Sequence, residues 1–131
     1  MIIADSSAWI EYTRGRRSAC VDALDAALDQ GLVATCEPVW AEVIAGALDD
    51  REQSQLERML GALPLIPTEF ADWENAATIR RASRRQGRTV RSLLDCLIAG
   101  VAMHHGATVL HNDSDFEQIA EVFPTFDQTR G

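Results

Sequence analysis

Five acidic residues each fall at the end of a predicted strand or near the start of a predicted helix. They are Asp5, Glu42, Asp95, Asp113 and Asp115. Carboxylates that are brought together repel one another, and a hard divalent cation relieves that repulsion by binding their oxygens. Two such cations roughly 3.5–4 Å apart can hold a phosphodiester, activate a water and stabilise the leaving oxygen. If the fold gathers these residues, the expected chemistry is metal-assisted hydrolysis.

Each acidic residue also has a purely structural interpretation. Asp95 lies three residues after Ser92, which is the spacing of a helix cap, and a carboxylate is favourable in the first turn of any helix. Asp113 can cap a final helix, and a glutamate such as Glu42 is most often a solvated surface residue. Asp5 is harder to explain in this way, because it ends a short apolar run. The joint placement of the five residues, more than any one of them, favours a metal site.

Four short β-prone runs alternate with helical patterns along the chain. They cover residues 2–4, 32–36, 63–66 and 108–110. Pro64 and Pro67 would confine the third run to an edge of the sheet. The alternation predicts one α/β domain over residues 1–131, a three-layer arrangement in which a central parallel sheet of four or five short strands is flanked by helices. Ligands of such sheets sit beyond the carboxyl ends of the strands, where the acidic residues fall.

Several predicted helices begin with a residue that suits the first turn. Capping side chains are predicted at Ser7, Ser18, Thr68, Ser92 and either Asp113 or Ser114, and Pro38 suits the first turn of the helix that carries Glu42. The helix that follows Thr68 is predicted to end at Gly87. Its residues in register are Phe70, Trp73, Ala77 and Arg80. The helix that follows Ser92 carries a wide apolar stripe and ends at Gly106.

The charge of the chain is unevenly distributed. Its net charge of −8 is unfavourable for contact with a phosphate backbone. All 12 basic residues are arginine, and half of them lie in one stretch: Arg80, Arg81, Arg84, Arg85, Arg88 and Arg91. Crowded carboxylates that bind divalent cations also reverse the local sign of the charge. The composition therefore permits a nucleic-acid enzyme without indicating one.

The cysteines and the apolar runs indicate a compartment. Cys20, Cys36 and Cys96 are odd in number, far apart and without a CxxC pair, which argues against a disulfide framework or a zinc site. No apolar run approaches the ~20 residues of a membrane-spanning helix, and no basic region precedes the short apolar run at the N-terminus. We therefore expect a protein of the reducing cytoplasm that does not engage a membrane.

Four motifs in order give the sequence a family resemblance. They are Asp5-Ser6-Ser7-Ala8-Trp9, the segment Pro38-Val39-Trp40-Ala41-Glu42-Val43, the segment Arg91-Ser92-Leu93-Leu94-Asp95 with the apolar residues after it, and His111-Asn112-Asp113-Ser114-Asp115-Phe116. With these motifs the chain resembles the PIN-domain ribonucleases and, within them, the VapC-type toxins of bacterial type II toxin–antitoxin modules. The resemblance covers nearly the whole chain. No single motif is specific, but four in this order and spacing are.

The resemblance implies an Mg2+-dependent endoribonuclease, with Mn2+ as a substitute ion, that hydrolyses RNA to 5′-phosphate and 3′-hydroxyl ends. The metal-binding and catalytic tetrad that it implies is Asp5, Glu42, Asp95 and Asp113. Asp115 is similar to an additional acidic group at a second metal, and Ser7 to a hydroxyl residue that orders the site around Asp5. Two residues depart from the family pattern: Ser6 replaces a common threonine, and Asn112 replaces a frequent basic residue.

The resemblance also implies two protein partners. One is an antitoxin whose C-terminal segment covers the site, often with a basic residue that reaches the carboxylates. The other is a second copy of the chain, and the helices near Trp9 and Trp40 are candidate dimer surfaces, although Trp40 is equally compatible with the core.

The arginine stretch has two interpretations. As a track that leads RNA to the metals, it would place Arg88 and Arg91 on RNA phosphates, and this reading is favoured for those two residues. A solvated face is favoured for Arg80 and Arg81, with ion pairs on the same helix to Glu69, Asp72 and Glu74. The three histidines, His104, His105 and His111, are not spaced as metal ligands, so we expect structural roles for them.

Other classes of protein place acidic residues at strand ends. Receiver-type signalling domains and haloacid-dehalogenase-type phosphatases both use a lysine, and this chain has none. A nucleotide-binding module would need a glycine-rich phosphate loop, which is also absent. The remaining alternative is a catalytically silent PIN-like module that serves as an interaction partner, with structural carboxylates.

Overall fold

The computed structural model describes residues 1–131, and its centre is a parallel five-stranded sheet. The strands are β1 (Ile2–Ala4), β2 (Val33–Cys36), β3 (Leu65–Ile66), β4 (Thr108–Leu110) and β5 (Gln128–Thr129). Their order in the sheet is β3-β2-β1-β4-β5, and every neighbouring pair is parallel. The α/β fold with a parallel sheet is therefore confirmed, and β3 lies at an edge as its prolines predict.

Seven helices connect and flank the strands. They are α1 (Ser6–Thr13), α2 (Ala19–Asp29), α3 (Glu37–Ala45), α4 (Asp50–Gly61), α5 (Phe70–Arg85), α6 (Leu93–His105) and α7 (Ser114–Val122). Because β1, β2 and β4 are each followed directly by a helix, the first turns of α1, α3 and α7 lie at the carboxyl edge of the sheet. No helix is long and apolar enough to cross a membrane.

Helix α6 is the most buried helix of the molecule. Eight consecutive residues from Asp95 to Ala102 are buried, so the predicted apolar stripe extends around the whole helix. Gly106 ends it in the left-handed conformation, with φ of 63°, that glycine adopts without strain. A helix that is packed on every side holds its first turn rigidly, and that turn carries Asp95.

The predicted register of α5 is wrong. Phe70 and Trp73 are 76% and 49% exposed, whereas Asp72 is fully buried. The other buried residues of this helix are Ala76, Ile79 and Ser83. Asp72 turns inward because its carboxylate has two partners, the backbone N–H of Glu69 at 2.9 Å and the Nδ1 atom of His104 at 3.0 Å. Hydrogen bonds with Glu69 and with the exposed His104 of α6 therefore hold Asp72 on the face of α5 that packs inward.

One further expectation is corrected at the start of α5. The N-cap of α5 is Glu69 rather than Thr68, and Asp72 completes a reciprocal capping box with it. The side chain of Trp9 is fully buried in the core, whereas residues 10–13 of α1 are partly exposed. Trp40 is partly buried and lines an apolar cavity of about 440 Å³ beside Leu60.

Candidate active site

Asp5 is positioned by the junction of β1 and α1. Its backbone N–H donates to the carbonyl of Leu110 at 2.8 Å, which continues the pairing with β4. Its carboxylate oxygen Oδ2 accepts bonds from the N–H of Ser7 at 3.2 Å and from the Ser7 hydroxyl at 2.8 Å. Asp5 itself is therefore the N-cap of α1, and the prediction that Ser7 caps this helix is wrong. The Ser7 side chain instead orients Asp5.

Glu42 and Asp95 reach the same region from two different helices. Glu42 lies on α3, which begins directly after β2 with Pro38 in its first turn. Asp95 lies in the first turn of α6, where its N–H donates to the capping hydroxyl of Ser92 at 3.3 Å. Asp95 contributes its backbone N–H to the helix cap, so its side-chain carboxylate remains free to act as a ligand.

Asp113 caps α7, and its oxygen Oδ1 accepts the N–H of Asp115 at 2.9 Å. The N–H of Asp113 donates in turn to Nδ1 of the buried His111 at 3.1 Å. His111 therefore carries its proton on Nε2, which lies 2.6 Å from the side-chain oxygen of Gln128 on β5. This histidine holds the turn that presents Asp113 and needs no metal to explain it.

Asp115 connects α7 to the start of α6. Its oxygen Oδ2 accepts the backbone N–H groups of Arg91 at 3.0 Å and of Ser92 at 3.1 Å. The residue is 3% exposed, and its other oxygen faces Nε of Arg91 at 3.4 Å. One carboxylate oxygen is thus used to fix the loop before Asp95, and the other remains available to a cation.

The five predicted acidic residues come together as two groups of metal-ligand geometry. One group is Asp5, Glu42 and Asp95, and the other is Asp95, Asp113 and Asp115. The ligand oxygens within each group lie within 4.8 Å of one another, and Asp95 belongs to both. This arrangement has the donor type that hard divalent cations prefer.

Three oxygens of the first group have no hydrogen-bond partner although they are buried. They are Asp5 Oδ1, Glu42 Oε1 and Asp95 Oδ2. Buried polar atoms in folded proteins almost always have a partner, and a buried carboxylate without one is costly. Because all three belong to residues whose ligand oxygens lie within 4.8 Å of one another, a cation can satisfy them together. The residues present therefore fit a bound divalent metal.

The electrostatics of the cluster agree with that fit. Burial, followed by the charges of Asp5 and Asp113, raises the pKa of Glu42 to about 7. Burial and the neighbouring carboxylates raise the pKa of Asp95 to about 9. Burial also raises the pKa of Asp5, although the hydrogen bonds from Ser7 oppose it. Without a cation Asp95, and in part Glu42, retain protons at neutral pH, so metal binding displaces those protons.

The two arginines predicted to bind RNA lie in different surroundings. The guanidinium of Arg91 is 3.4 Å from Asp115 and 3.7 Å from Asp113, and its side chain is 73% exposed. Arg88 lies between α5 and α6, and its side chain contacts α7: its guanidinium is 3.4 Å from Gln118 Oε1 and 3.8 Å from Glu121 Oε2. Arg91 thus contacts two carboxylates of the site, whereas Arg88 contacts none of them and is held by side chains of α7.

The expected ion pairs along α5 are absent. Arg80 and Arg81 make no salt bridge, and neither Glu69 nor Glu74 has a cationic partner. Asp72 is buried against α6 instead. The expected pairing of Arg80 and Arg81 with acidic residues of the same helix is therefore wrong, although Arg81 is exposed as a solvated face requires.

Sequence reasoning missed Arg130. Its guanidinium donates to Asn112 Oδ1 at 2.7 Å and to Glu117 Oε1 at 2.6 Å. The N–H of Asn112 donates to the Ser7 hydroxyl at 3.0 Å, so Asn112 and Ser7 connect this arginine to Asp5 by hydrogen bonds. No motif marks Arg130. Only the pairing of the two-residue β5 with β4 brings it to the site.

Comparison with known proteins agrees with this architecture. Residues 2–122 match the family model of the PIN domain. Ribonuclease VapC11 of Mycobacterium tuberculosis and a VapC ribonuclease of Mycobacterium bovis are each 44% identical over 125 residues, which are 93% of this chain and 93% of each relative. Among solved structures, VapBC2 from Rickettsia felis bound to a DNA fragment from its promoter has a TM-score of 0.78 at 19% identity, with 98% of both chains covered. That structure supports the fold alone.

The family resemblance seen in the four sequence motifs is thereby confirmed at two levels. The PIN-domain match spans nearly the whole chain, and the identity to the named relatives extends over almost their entire length. The chain belongs to the PIN-domain family and, within it, to the VapC ribonucleases.

Proposed function

We propose that residues 1–131 act as a single nuclease domain, the toxin of a toxin–antitoxin module, which hydrolyses RNA phosphodiester bonds with Mg2+ and accepts Mn2+. The catalytic and metal-binding residues are Asp5, Glu42, Asp95 and Asp113, with Asp115 as a further ligand. The single observation that carries this proposal is the set of three buried, unpartnered carboxylate oxygens that share one cluster.

Divalent ions held by these carboxylates would supply an activated water and stabilise the leaving oxygen. The chain itself contributes the rigidity that such chemistry needs. Ser7 orients Asp5, the buried α6 fixes Asp95, and His111 fixes the turn before Asp113. Arg91 borders the cluster from the solvent side, where it can contact a phosphate oxygen next to the scissile bond.

An antitoxin is the protein partner that the proposal implies. VapBC toxin–antitoxin complexes are among the structural relatives, and their fold matches this chain over nearly its full length. A homodimer is also proposed, with the helices near Trp9 and Trp40 as candidate surfaces; the buried side chain of Trp9 itself would not contact the second copy.

The decisive experiment measures cleavage of total RNA in Mg2+, in Mn2+ and in chelator. Cleavage that needs a divalent ion and disappears in Asp95→Asn supports the proposal. Asp50→Asn is a matched control, because Asp50 is an exposed aspartate in the first turn of α4, away from the cluster. A folded wild-type chain that never cleaves RNA in either ion would instead favour the catalytically silent interaction module.

A second measurement addresses how metal and RNA depend on each other. In chelator the carboxylate cluster repels a phosphate backbone, whereas bound cations reverse the local charge so that the same region attracts a phosphate. The affinity for a non-cleavable RNA analogue should therefore be higher in Mg2+ than in chelator at matched ionic strength. Equal affinities would mean that the arginines alone hold the RNA.

A further inference from the structure

A small basic pocket lies where α5 ends and the chain turns toward α6. Its volume is about 180 Å³, and it is lined by Arg80, Arg84, Gly87, Arg88, Thr89 and Val90. Three of its six lining residues carry a guanidinium group, and only one is hydrophobic. We call this feature the arginine pocket. It lies outside the carboxylate cluster and contains none of its residues.

The backbone at the end of α5 explains how the three arginines meet. Arg80 and Arg84 are four residues apart and share one face of the helix. Gly87 then adopts a φ of +71°, and the N–H of Arg88 donates to the carbonyl of Ser83 at 2.9 Å while that of Gly87 donates to Arg84 at 3.0 Å. This pair of bonds is a Schellman motif, which folds the chain back over the last turn of the helix. Arg88 consequently lies beside Arg84 instead of continuing away from it.

Two of the three arginines have no partner within the chain. Arg80 and Arg84 make no salt bridge and no side-chain hydrogen bond, although the chain has 20 acidic residues. Arg88 is oriented from α7 by Gln118 and Glu121. Favourable interaction with the end of the helix explains one arginine in the last turn, such as Arg84, but does not extend to Arg80. The pocket thus presents unneutralised cationic donors to an external anion.

The pocket is adjacent to the carboxylate cluster along the chain. Arg88 precedes Arg91 by three residues, so their Cα atoms are at most about 11 Å apart. Arg91 in turn contacts Asp113 and Asp115. An RNA strand whose scissile phosphate sits at the carboxylates therefore has neighbouring phosphates within reach of the pocket.

We propose that the arginine pocket binds a backbone phosphate of the RNA substrate, on one side of the scissile bond. Guanidinium groups bind phosphate oxygens through paired hydrogen bonds, and such contacts carry no base specificity. The pocket would thus set the direction in which the strand crosses the site, while sequence preference arises elsewhere. This inference rests on the proposed ribonuclease function.

The test compares two double variants that remove the same charge from the same helix. Arg80→Ala/Arg84→Ala changes the pocket, whereas Arg81→Ala/Arg85→Ala removes two exposed arginines that do not line it. Both are placed in an inactive Asp5→Asn background with Mg2+ present. The probe is a fluorescein-labelled RNA of random sequence, and its affinity is measured as a function of salt concentration.

We expect the pocket variant to weaken binding at low salt and to make the slope of log affinity against log salt less negative by about 0.7, the value for one lost single-strand phosphate contact. The control pair should change the slope by less than half as much. Equal changes in the two variants would overturn the proposal, because the arginines would then act only as a diffuse positive field. An unchanged slope in the pocket variant would overturn it as well.

Two additions keep the test interpretable. Arg80 is partly buried, so Arg84→Ala alone, at an exposed position, should retain most of the slope change if the double variant is poorly folded. An oligoglutamate peptide is the second probe, and binding of that peptide through Arg80 and Arg84 without any effect on RNA would assign the pocket to an acidic protein segment and overturn the proposal. Whether the chain is a ribonuclease at all is measured separately, as cleavage of RNA by the wild-type protein in Mg2+.

Discussion

The carboxylate cluster and the arginine stretch are built in opposite ways. The acidic residues come from four distant parts of the chain, and most are buried and held by hydrogen bonds with Ser7, Ser92 and His111. The six arginines come from one continuous segment; five are exposed, and only Arg88 and Arg91 have a side-chain partner. The carboxylate cluster is therefore held in place by side-chain hydrogen bonds, whereas the arginines of the pocket are brought together by one helix face and the backbone turn at Gly87.

This difference corresponds to two physical requirements. A pair of metal sites tolerates little displacement of its ligands, so each carboxylate needs its own support in the fold. Attraction of a phosphate backbone is long-ranged and depends mainly on charge, so long exposed side chains are sufficient. We therefore expect single substitutions to have large effects in the carboxylate cluster and graded, salt-dependent effects in the arginine stretch.

The largest effect is expected for Asp95→Asn, because Asp95 belongs to both metal-ligand groups. Cleavage should fall by about a thousandfold or more, which corresponds to the loss of several kcal/mol of charge stabilisation in the transition state. The measurement is initial cleavage rate at saturating Mg2+, with circular dichroism as the control for folding. A variant that cleaves RNA at the wild-type rate would remove Asp95 from the catalytic set.

A smaller loss is expected for Asp115→Asn. The asparagine oxygen can still accept the N–H groups of Arg91 and Ser92, so the loop before α6 stays in place and only the charge is lost. The rate should fall by about 10- to 100-fold, the range for residues that support metal ligands. Asp115→Ala should lose more than Asp115→Asn, because it also releases the loop. Equal losses in the two variants would contradict a positioning role.

The acidic cluster also predicts how stability depends on pH without metal. The folded-state pKa values of Glu42 and Asp95, about 7 and about 9, lie above their ordinary values, so the folded state binds more protons than the unfolded state. In chelator the melting temperature should therefore fall as pH rises from 6 to 8.5. Mg2+ should stabilise the protein more at pH 8.5, because fewer protons compete with it.

Two variants separate this dependence from general effects of pH. Asp95→Asn should raise the melting temperature in chelator at pH 8.5 and flatten its decline, since folding then no longer requires a buried Asp95 to take up a proton. Asp50→Asn, at an exposed position on α4, should leave the decline unchanged. A melting temperature that rises with pH in wild-type chain and chelator would contradict the raised pKa values.

Much of the acidic cluster was predictable because its positions follow from local rules. A carboxylate after a buried strand and carboxylates in first helical turns converge once the sheet is parallel, as Asp5, Asp95 and Asp113 show. The face of α5 was not predictable, because Asp72 turns inward toward His104, which lies 32 residues away on another helix. Local periodicity contains no information about such a distant partner.

The position of Arg130 was unpredictable for a similar reason. Two residues of strand, too few to produce a periodic pattern, bring the C-terminal segment alongside β4. The arginine then occupies the neighbourhood of Asn112, where the family pattern often has a basic residue. Only the folded topology reveals this neighbour of Asn112.

The smallest effect is expected for Arg130→Ala, which removes the two bonds to Asn112 and Glu117. The turn before Asp113 keeps its bonds to Ser7 and His111, so we expect a rate loss of only about twofold to fivefold, in line with an exposed ion pair worth about 0.2–1 kcal/mol. Because Arg130 acts through the turn that presents Asp113, the Mg2+ concentration for half-maximal rate should rise in the same variant. Arg130→Lys should restore little of it, since lysine cannot bridge two acceptors with a planar group.

The control for this last prediction is Arg14→Ala, which removes an arginine 3.7 Å from Glu52 and leaves the turn before Asp113 untouched. It should alter neither the rate nor the Mg2+ dependence. If Arg130→Ala lowers the melting temperature but leaves the Mg2+ dependence at the wild-type value, the arginine only stabilises the C-terminal segment. A shift in Mg2+ dependence that exceeds the effect of Asp115→Asn would instead reverse the expected ranking. Arg130, although exposed, would then be one of the residues that fix the positions of the metal ligands.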